Sequence, residues 1–123
     1  MLEYIHRSKT AAMIRASITA GALCAGAGTE DVARLRRFGE TIGWAFQVTD
    51  DILDVEESSA ALGKTAGKDI AQQKATYPAV YGLERSHEIA NELATRAIAE
   101  LAPYGERASR LRDIAEFLVL RRA

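Results

Sequence analysis

The apolar residues of this sequence recur with the 3.6-residue period of α-helices along most of its length. The clearest apolar face consists of four large side chains, Leu35, Phe38, Ile42 and Phe46. Thr29 is a candidate N-cap for this helix, because the acidic residues that follow it suit the positive end of a helix dipole. No helix-breaking residue interrupts the pattern before about Val55, so the sequence predicts one long helix from Thr29 to about Val55.

Glycine-rich segments limit the elements on either side of this long helix. The small residues from Ile5 to about Cys24 predict a first helix, which stops at the glycines of residues 26–28. Residues 56–74 combine glycines, serines and lysines without an apolar period, and they predict a polar loop that holds at most a short helical piece.

Two prolines mark the boundaries of the remaining helices. A helix resumes at Thr76-Tyr77-Pro78, where proline suits an early helical position, and it runs to about Leu101. A break at residues 103–105 separates it from a last helix that contains Leu111, Ile114 and Leu118. No strand alternation lasts more than a few residues, so the sequence predicts an all-α fold.

Composition and charge narrow the class of protein. The chain has 123 residues, of which 48% are hydrophobic and 27% charged, as expected for one soluble globular domain. Its formal net charge of -1 argues against a nucleic-acid binder, which would normally be clearly basic. Cys24 is the only cysteine, so no disulfide can form within the chain and a cytoplasmic location is expected.

The uncharged stretch from Ala16 to Gly28 has a loose likeness to a signal peptide, since basic residues precede it. However, polar residues and glycines dilute it, and it falls short of the roughly 20 apolar residues of a membrane span. A buried helix is the favoured interpretation, and no membrane span is expected.

Three aspartates, in the order Asp50-Asp51-x-x-Asp54, form the strongest candidate site. On a helix, Asp50 and Asp54 lie one turn apart on the same side, and Asp51 lies about 100° round. Carboxylates gathered in this way repel one another unless a cation is present, and carboxylates without histidine or cysteine suit Mg²⁺. A solvated acidic helix end is the alternative, which the unfavourable dipole at a helix C-terminus weakens.

Lysines are placed so that they could bind an anion beside this metal. Lys64, Lys68 and Lys74 follow the aspartates, and Lys9 precedes Thr10 near the start of the chain. Lysine side chains act as point-charge partners of phosphate oxygens, so a metal-bound diphosphate is a plausible ligand. For any one of these lysines taken alone, an ordinary surface position is the better interpretation.

Four motifs in this order resemble the second half of the trans-isoprenyl diphosphate synthases, which include the farnesyl and geranylgeranyl diphosphate synthases. The motifs are Ile5-His6-Arg7-Ser8-Lys9-Thr10-Ala11-Ala12, Phe46-Gln47-x-x-Asp50-Asp51-x-x-Asp54, Leu62-Gly63-Lys64-x-x-Gly67-Lys68-Asp69 and Lys74-Ala75-Thr76-Tyr77-Pro78. The resemblance covers nearly the whole chain and fades after about residue 85. It implies the C-terminal helices of the isoprenoid synthase bundle.

The resemblance also implies a role for individual residues. It implies that Asp50, Asp51 and Asp54 bind Mg²⁺ bridged to an allylic diphosphate, with Asp50 as the expected direct ligand. It implies that the diphosphate is held by lysines, namely Lys9, Lys64 and Lys74. The candidate catalytic residues are Lys9, Thr10 and Gln47, of which the last two carry oxygens that would face the allylic cation. In the family, isopentenyl diphosphate attacks this cation after the diphosphate has left.

The sequence lacks two features of the family. It has no first aspartate-rich motif and no upstream basic residues for isopentenyl diphosphate, so residues 1–123 resemble only the C-terminal part of a single synthase domain. Met1 lies at the start of a family helix, which is typical of a truncated gene. We therefore expect no turnover by this chain alone, and a homodimer for the full-length protein.

Two other interpretations stay open. The chain could be a non-catalytic helical subunit, or a decayed fragment, that pairs with a complete synthase. A terpene cyclase shares the helical fold and an aspartate-rich motif, but it would normally lack the Lys-Thr and Lys-Ala-Thr-Tyr-Pro sequences found here.

Overall fold

The computed structural model describes the backbone of residues 2–61 and 76–120, and the side chains of residues 8–58 and 76–120. All regular elements in these ranges are helices, which confirms the predicted all-α fold. They are α1 (Leu2–Cys24), α2 (Thr29–Ala61), α3 (Tyr77–Tyr81), α4 (Leu83–Ala99), a 3₁₀ helix (Ala102–Ala108) and α5 (Ser109–Leu120). None of the described helices is long and apolar enough to span a membrane.

Helix α1 ends as the glycine-rich segment predicted. Gly26 has a φ of 78°, a left-handed conformation that glycine adopts without steric cost. Its N–H donates to the Leu23 carbonyl at 3.0 Å, and the Ala27 N–H donates to the Ala22 carbonyl at 3.0 Å. This pair of bonds is a Schellman motif, which satisfies carbonyls at the end of the helix and turns the chain toward α2.

Helix α2 begins at Thr29, and two details differ from the sequence prediction. The Gly28 carbonyl accepts the Val32 N–H at 2.9 Å, so Gly28 occupies the cap position predicted for Thr29. The helix also continues past Val55 to Ala61. Glutamate and alanine in residues 56–61 favour helix, and the Glu56 side chain contacts His87 on α4 at 3.0 Å.

The helix predicted from Thr76 to about Leu101 is divided in two. Gly82 has a φ of 85°, which ends α3 and leads directly into α4. Thr76 caps α3, because its hydroxyl accepts the Ala79 N–H at 3.2 Å, and Pro78 lies in the first turn as predicted. The predicted break before the last helix is confirmed by the 3₁₀ helix, in which Gly105 has a φ of 58°.

Helix α2 is central, since it packs against α1, α4 and α5. The core joins large side chains of α2 to residues of the C-terminal helices; its members include Phe38, Ile42, Val48, Ile52, Leu93, Ala97, Leu101 and Ala115. Of the predicted apolar face, Phe38 and Ile42 are 1% exposed, while Leu35 and Phe46 are half-buried. The periodicity therefore identified the buried side of α2.

Two glycines let α1 and α2 approach closely. A Cβ added to Gly43 would lie 3.2 Å from the carbonyl oxygen of Ala11, and one added to Gly39 would lie 3.0 Å from the Cα of Arg15. Such distances leave almost no room for a side chain. Close backbone contact at these two glycines therefore sets part of the seam between α1 and α2, beside the core packing of Ile14 and Ile18.

Polar contacts join the start of α2 to the chain that follows α4. The Glu100 carboxylate accepts hydrogen bonds from Arg34 at 3.5 Å and from Arg37 at 3.3 Å. The Tyr104 hydroxyl donates to Asp31 at 2.8 Å. Partly exposed ion pairs of this kind add little stability each, so we attribute the packing of α2 mainly to its apolar face.

Candidate functional site

The three aspartates of the candidate site have different environments although they lie within one turn of α2. Asp50 is half-buried, Asp51 is only 3% exposed, and Asp54 is exposed. Because α2 continues to Ala61, the turn lies inside the helix and not at its C-terminal end. The expected conflict with the helix dipole therefore does not apply here, since that effect fades within the last turn.

Asp51 connects the aspartate-rich turn to the segment that begins α3. Its Oδ2 accepts the Tyr77 backbone N–H at 3.1 Å. The two sequence motifs, Asp50-Asp51-x-x-Asp54 and Thr76-Tyr77-Pro78, are thus in direct contact in the fold. Helical spacing places Asp51 about 100° from Asp50 and about 60° from Asp54, but only the docking of α3 shows what Asp51 meets.

Trp44 contributes to the same contact, although the sequence alone did not single it out. Its indole N–H donates to the hydroxyl of Tyr77. Trp44 precedes Asp51 by two helical turns, so both residues lie on one side of α2. This spacing was the available signal, but it gains meaning only once Tyr77 is known to pack against that side.

Gln47 lies at a groove between α1 and α2. The groove has a volume of about 230 Å³ and is lined by Ser8, Ala11, Ala12, Arg15, Glu40 and Gln47. Arg15 and Glu40 form an ion pair across it, with 3.6 Å between nitrogen and oxygen. Gln47 therefore lies opposite the turn of α1, residues 8–12, that contains Lys9 and Thr10.

The other predicted ligand-binding residues are less closely gathered. Lys9 and Thr10 lie on α1 with exposed side chains, next to Ser8 at the edge of the groove. Lys64 and Lys74, like Lys68, lie outside the described residues. The described part of the site thus joins α1 to α2 through the groove, and α2 to α3 through Asp51.

The donor set on α2 fits a hard divalent cation. Among the described side chains, no three His, Cys, Asp or Glu residues are gathered closely enough to hold a metal alone. Mg²⁺ does not need such a cage, because it commonly binds one or two carboxylates and completes its shell with water and phosphate oxygens. Asp50 and Asp54, one turn apart on the same side of α2, provide that number of carboxylates.

Comparison with known proteins identifies the family of this chain. The family model for polyprenyl synthetases matches residues 2–113. The chain belongs to the polyprenyl synthetase family. The match confirms the resemblance predicted from the four motifs, and it extends well past residue 85, where the sequence analysis expected it to fade.

Individual relatives agree with this assignment. The chain is 46% identical over 121 residues to a chloroplastic geranylgeranyl pyrophosphate synthase from Catharanthus roseus, covering 98% of this chain and 34% of the relative. It is 43% identical over 120 residues to a dimethylallyltranstransferase from Fischerella ambigua, covering 98% of this chain and 35% of the relative. The chain therefore spans about a third of the length of the curated relatives it matches.

A solved structure has the same fold. The crystal structure described as a farnesyl-diphosphate synthase from Marinomonas sp. MED121 aligns with a TM-score of 0.74 and 34% identity. The alignment covers 96% of this chain and 39% of that protein. Because one relative is named as chloroplastic, the cytoplasmic location expected from Cys24 stays a prediction.

Proposed function

We propose that this chain forms the C-terminal part of a Mg²⁺-dependent prenyltransferase that condenses an allylic diphosphate with isopentenyl diphosphate and releases diphosphate. The observation that carries the proposal is the family match over residues 2–113, which includes the aspartate-rich turn, the Lys9-Thr10 pair and Gln47. The relatives named above are prenyl synthases or transferases, which supports the same reaction class.

Each residue has a role in this proposal. Asp50 and Asp54 hold Mg²⁺, which offsets the negative charge that develops on a departing diphosphate. The Lys9 ammonium binds diphosphate oxygens from α1, and Lys64 and Lys74 are proposed to do so from the segment outside the described residues. Thr10 and Gln47 present oxygen atoms toward the positive charge left on the allylic carbon.

The activity itself belongs to a protein longer than this chain. We take residues 1–123 as the C-terminal part of one synthase domain, whose N-terminal part carries the first aspartate-rich motif and the site for isopentenyl diphosphate. The chain spans about a third of its relatives, and the proposal therefore assigns it half of an active site. A homodimer of the full-length protein is part of this proposal, and a helical subunit that pairs with a complete synthase remains the alternative.

Binding of inorganic pyrophosphate tests the proposal without requiring turnover. Titration calorimetry on the 123-residue chain is expected to show saturable binding of pyrophosphate that depends on Mg²⁺. Asp50→Asn should weaken this binding about tenfold or more, because a ligand carboxylate is lost. Asp113→Asn is the matched control, since Asp113 is an exposed aspartate on α5. Equal effects of the two substitutions, or binding that ignores Mg²⁺, would overturn the proposal.

A further inference from the structure

We propose that Asp51 is a positioning residue that holds Tyr77 against α2, and that it is not a ligand of the metal. The inference deepens the proposed function and rests on it, because it divides the aspartate-rich turn into two metal-binding carboxylates and one internal anchor. Three observations on the described residues carry it: the burial of Asp51, its bond to Tyr77, and the second bond that Trp44 makes to the same tyrosine.

Burial separates Asp51 from its neighbours. It is 3% exposed, whereas Asp54 is exposed and Asp50 is half-buried. A magnesium ion that keeps several of its waters needs carboxylates that reach solvent. A buried carboxylate instead needs hydrogen-bond donors from the protein, and the Tyr77 N–H at 3.1 Å is one of them.

Tyr77 is held at two points from one side of α2. Asp51 accepts its backbone N–H, and the indole N–H of Trp44 donates to its hydroxyl. The ring of Tyr77 also packs against the core, and it stacks on Tyr81 with 5.8 Å between the ring centroids. Contacts to both ends of one residue fix its position along α2 as well as its orientation.

This anchor constrains the metal-binding side of α2. If Asp51 turned outward to reach a metal, the Tyr77 N–H would lose this acceptor, and a partly buried amide without a partner is unfavourable. The bond therefore holds Asp51 toward α3. By helical geometry Asp50 is then about 100° away, on the side of α2 that also carries Asp54.

Two measurements distinguish an anchor from a metal ligand. The first is binding of Mn²⁺ in the presence of inorganic pyrophosphate, followed by electron paramagnetic resonance. The second is hydrogen exchange of the Tyr77 amide, followed by nuclear magnetic resonance without any ligand. Asp51→Asn keeps an oxygen that can accept the Tyr77 N–H, whereas Asp51→Leu has a similar size and no acceptor.

The anchor predicts a specific pattern among the variants. Asp51→Asn should bind Mn²⁺ with an affinity within about twofold of the wild-type value, while Asp50→Asn should lose about tenfold or more. Asp51→Leu should speed exchange of the Tyr77 amide about tenfold, and Asp51→Asn should preserve its protection. Rescue by asparagine is the decisive readout, because a metal ligand would not tolerate loss of its charge.

Two results would overturn the inference. One is an Asp51→Asn variant that loses Mn²⁺ affinity as strongly as Asp50→Asn. The other is a Tyr77 amide that exchanges at the same rate in the wild type and in Asp51→Leu. If Asp51→Leu does not fold, Asp51→Ala replaces it, because alanine likewise offers the Tyr77 N–H no acceptor. If the wild type binds no Mn²⁺ with pyrophosphate, the proposed function fails. The exchange rates of the Tyr77 amide still show whether Asp51 anchors Tyr77.

Discussion

Tyr104 is the residue whose ionisation should be visible in the stability of the fold. Burial raises the pKa of its phenol above the ordinary value of 10.0, and the hydrogen bond to Asp31 raises the pKa further. The neutral hydroxyl donates to Asp31, so the contact contributes fully below about pH 10. As the pH rises through the raised pKa, the phenolate forms beside a carboxylate and this contribution is lost.

Comparison with Tyr104→Phe isolates this contribution. At neutral pH the variant should have a lower free energy of unfolding than the wild type, because it cannot donate to Asp31. The difference should shrink as the pH rises above about 10. Urea unfolding at several pH values measures it, and a difference that stays constant up to about pH 11 would contradict the assigned contact.

Thr76 is the second residue whose contribution to the free energy of unfolding can be measured separately, because its hydroxyl caps the first turn of α3. Thr76→Ala should lower the free energy of unfolding by about 1 kcal/mol, the usual effect of losing an N-cap. Thr76→Ser keeps the hydroxyl and serves as the control; it gives up only the buried methyl group, so its loss should be clearly smaller than that of Thr76→Ala. Similar losses in both variants would show that the methyl group matters more than the cap.

The sequence indicates the three candidate aspartates, but it does not show which of them is buried and which reach solvent. The spacing of Asp50, Asp51 and Asp54 was enough to place Asp50 and Asp54 on one side of a helix and Asp51 about 100° from Asp50. It could not show that Asp51 is buried, because that depends on Tyr77, which lies 26 residues further along the chain. A contact between distant residues leaves no periodic trace in either segment.

Among the elements, the seam between α1 and α2 is the most sensitive to added volume. Gly43→Ala would gain helix propensity, but its Cβ would lie 3.2 Å from the backbone of Ala11. We expect overpacking to outweigh the gain and lower the free energy of unfolding by about 1 kcal/mol. Gly21→Ala on α1 is the matched control, since a Cβ there meets nothing within 4 Å.

The control should move in the opposite direction. Gly21→Ala should raise the free energy of unfolding by about 0.5–1 kcal/mol, because alanine loses less backbone freedom on folding into a helix. Thermal unfolding of the two variants beside the wild type measures both effects. Stabilisation by Gly43→Ala would mean that α1 moves away from α2 at little cost.

The elements also show where sequence patterns lose precision. Apolar periodicity identified the buried side of α2, and Gly26 ended α1 where the sequence indicated. The end of α2 was placed too early, because residues 56–61 lack an apolar period although their glutamates and alanines favour helix, and a contact from Glu56 to His87 supports them. The break at Gly82 was missed, because one glycine within a helical pattern is usually tolerated.

For the whole molecule, the core predicts a single cooperative unfolding transition. Phe38 and Ile42 from α2 belong to the same apolar cluster as Leu101 and as Ala115 from α5, and no boundary divides this cluster within the described residues. Circular dichroism and tryptophan fluorescence should therefore give coincident unfolding curves. Two separated transitions would mean that the helices unfold as independent units.

Removal of one large core side chain should affect the whole transition. Phe38 is 1% exposed, so Phe38→Ala should lower the free energy of unfolding by about 3–5 kcal/mol. Phe117 on α5 is 67% exposed, and Phe117→Ala should change the same quantity by no more than about 0.5 kcal/mol. Comparable losses in the two variants would contradict the described position of the core.

The bond between Trp44 and Tyr77 makes Trp44 an intrinsic fluorescence probe of the contact between α2 and α3. Trp44 is the only tryptophan in the chain, so all indole emission comes from the residue that contacts the start of α3. Trp44 is 45% exposed, which leaves its emission sensitive to solvent as well as to the tyrosine hydroxyl. Any ligand that moves Tyr77 toward or away from α2 should therefore change the wavelength or the intensity of the tryptophan emission. This change can be measured without an added dye.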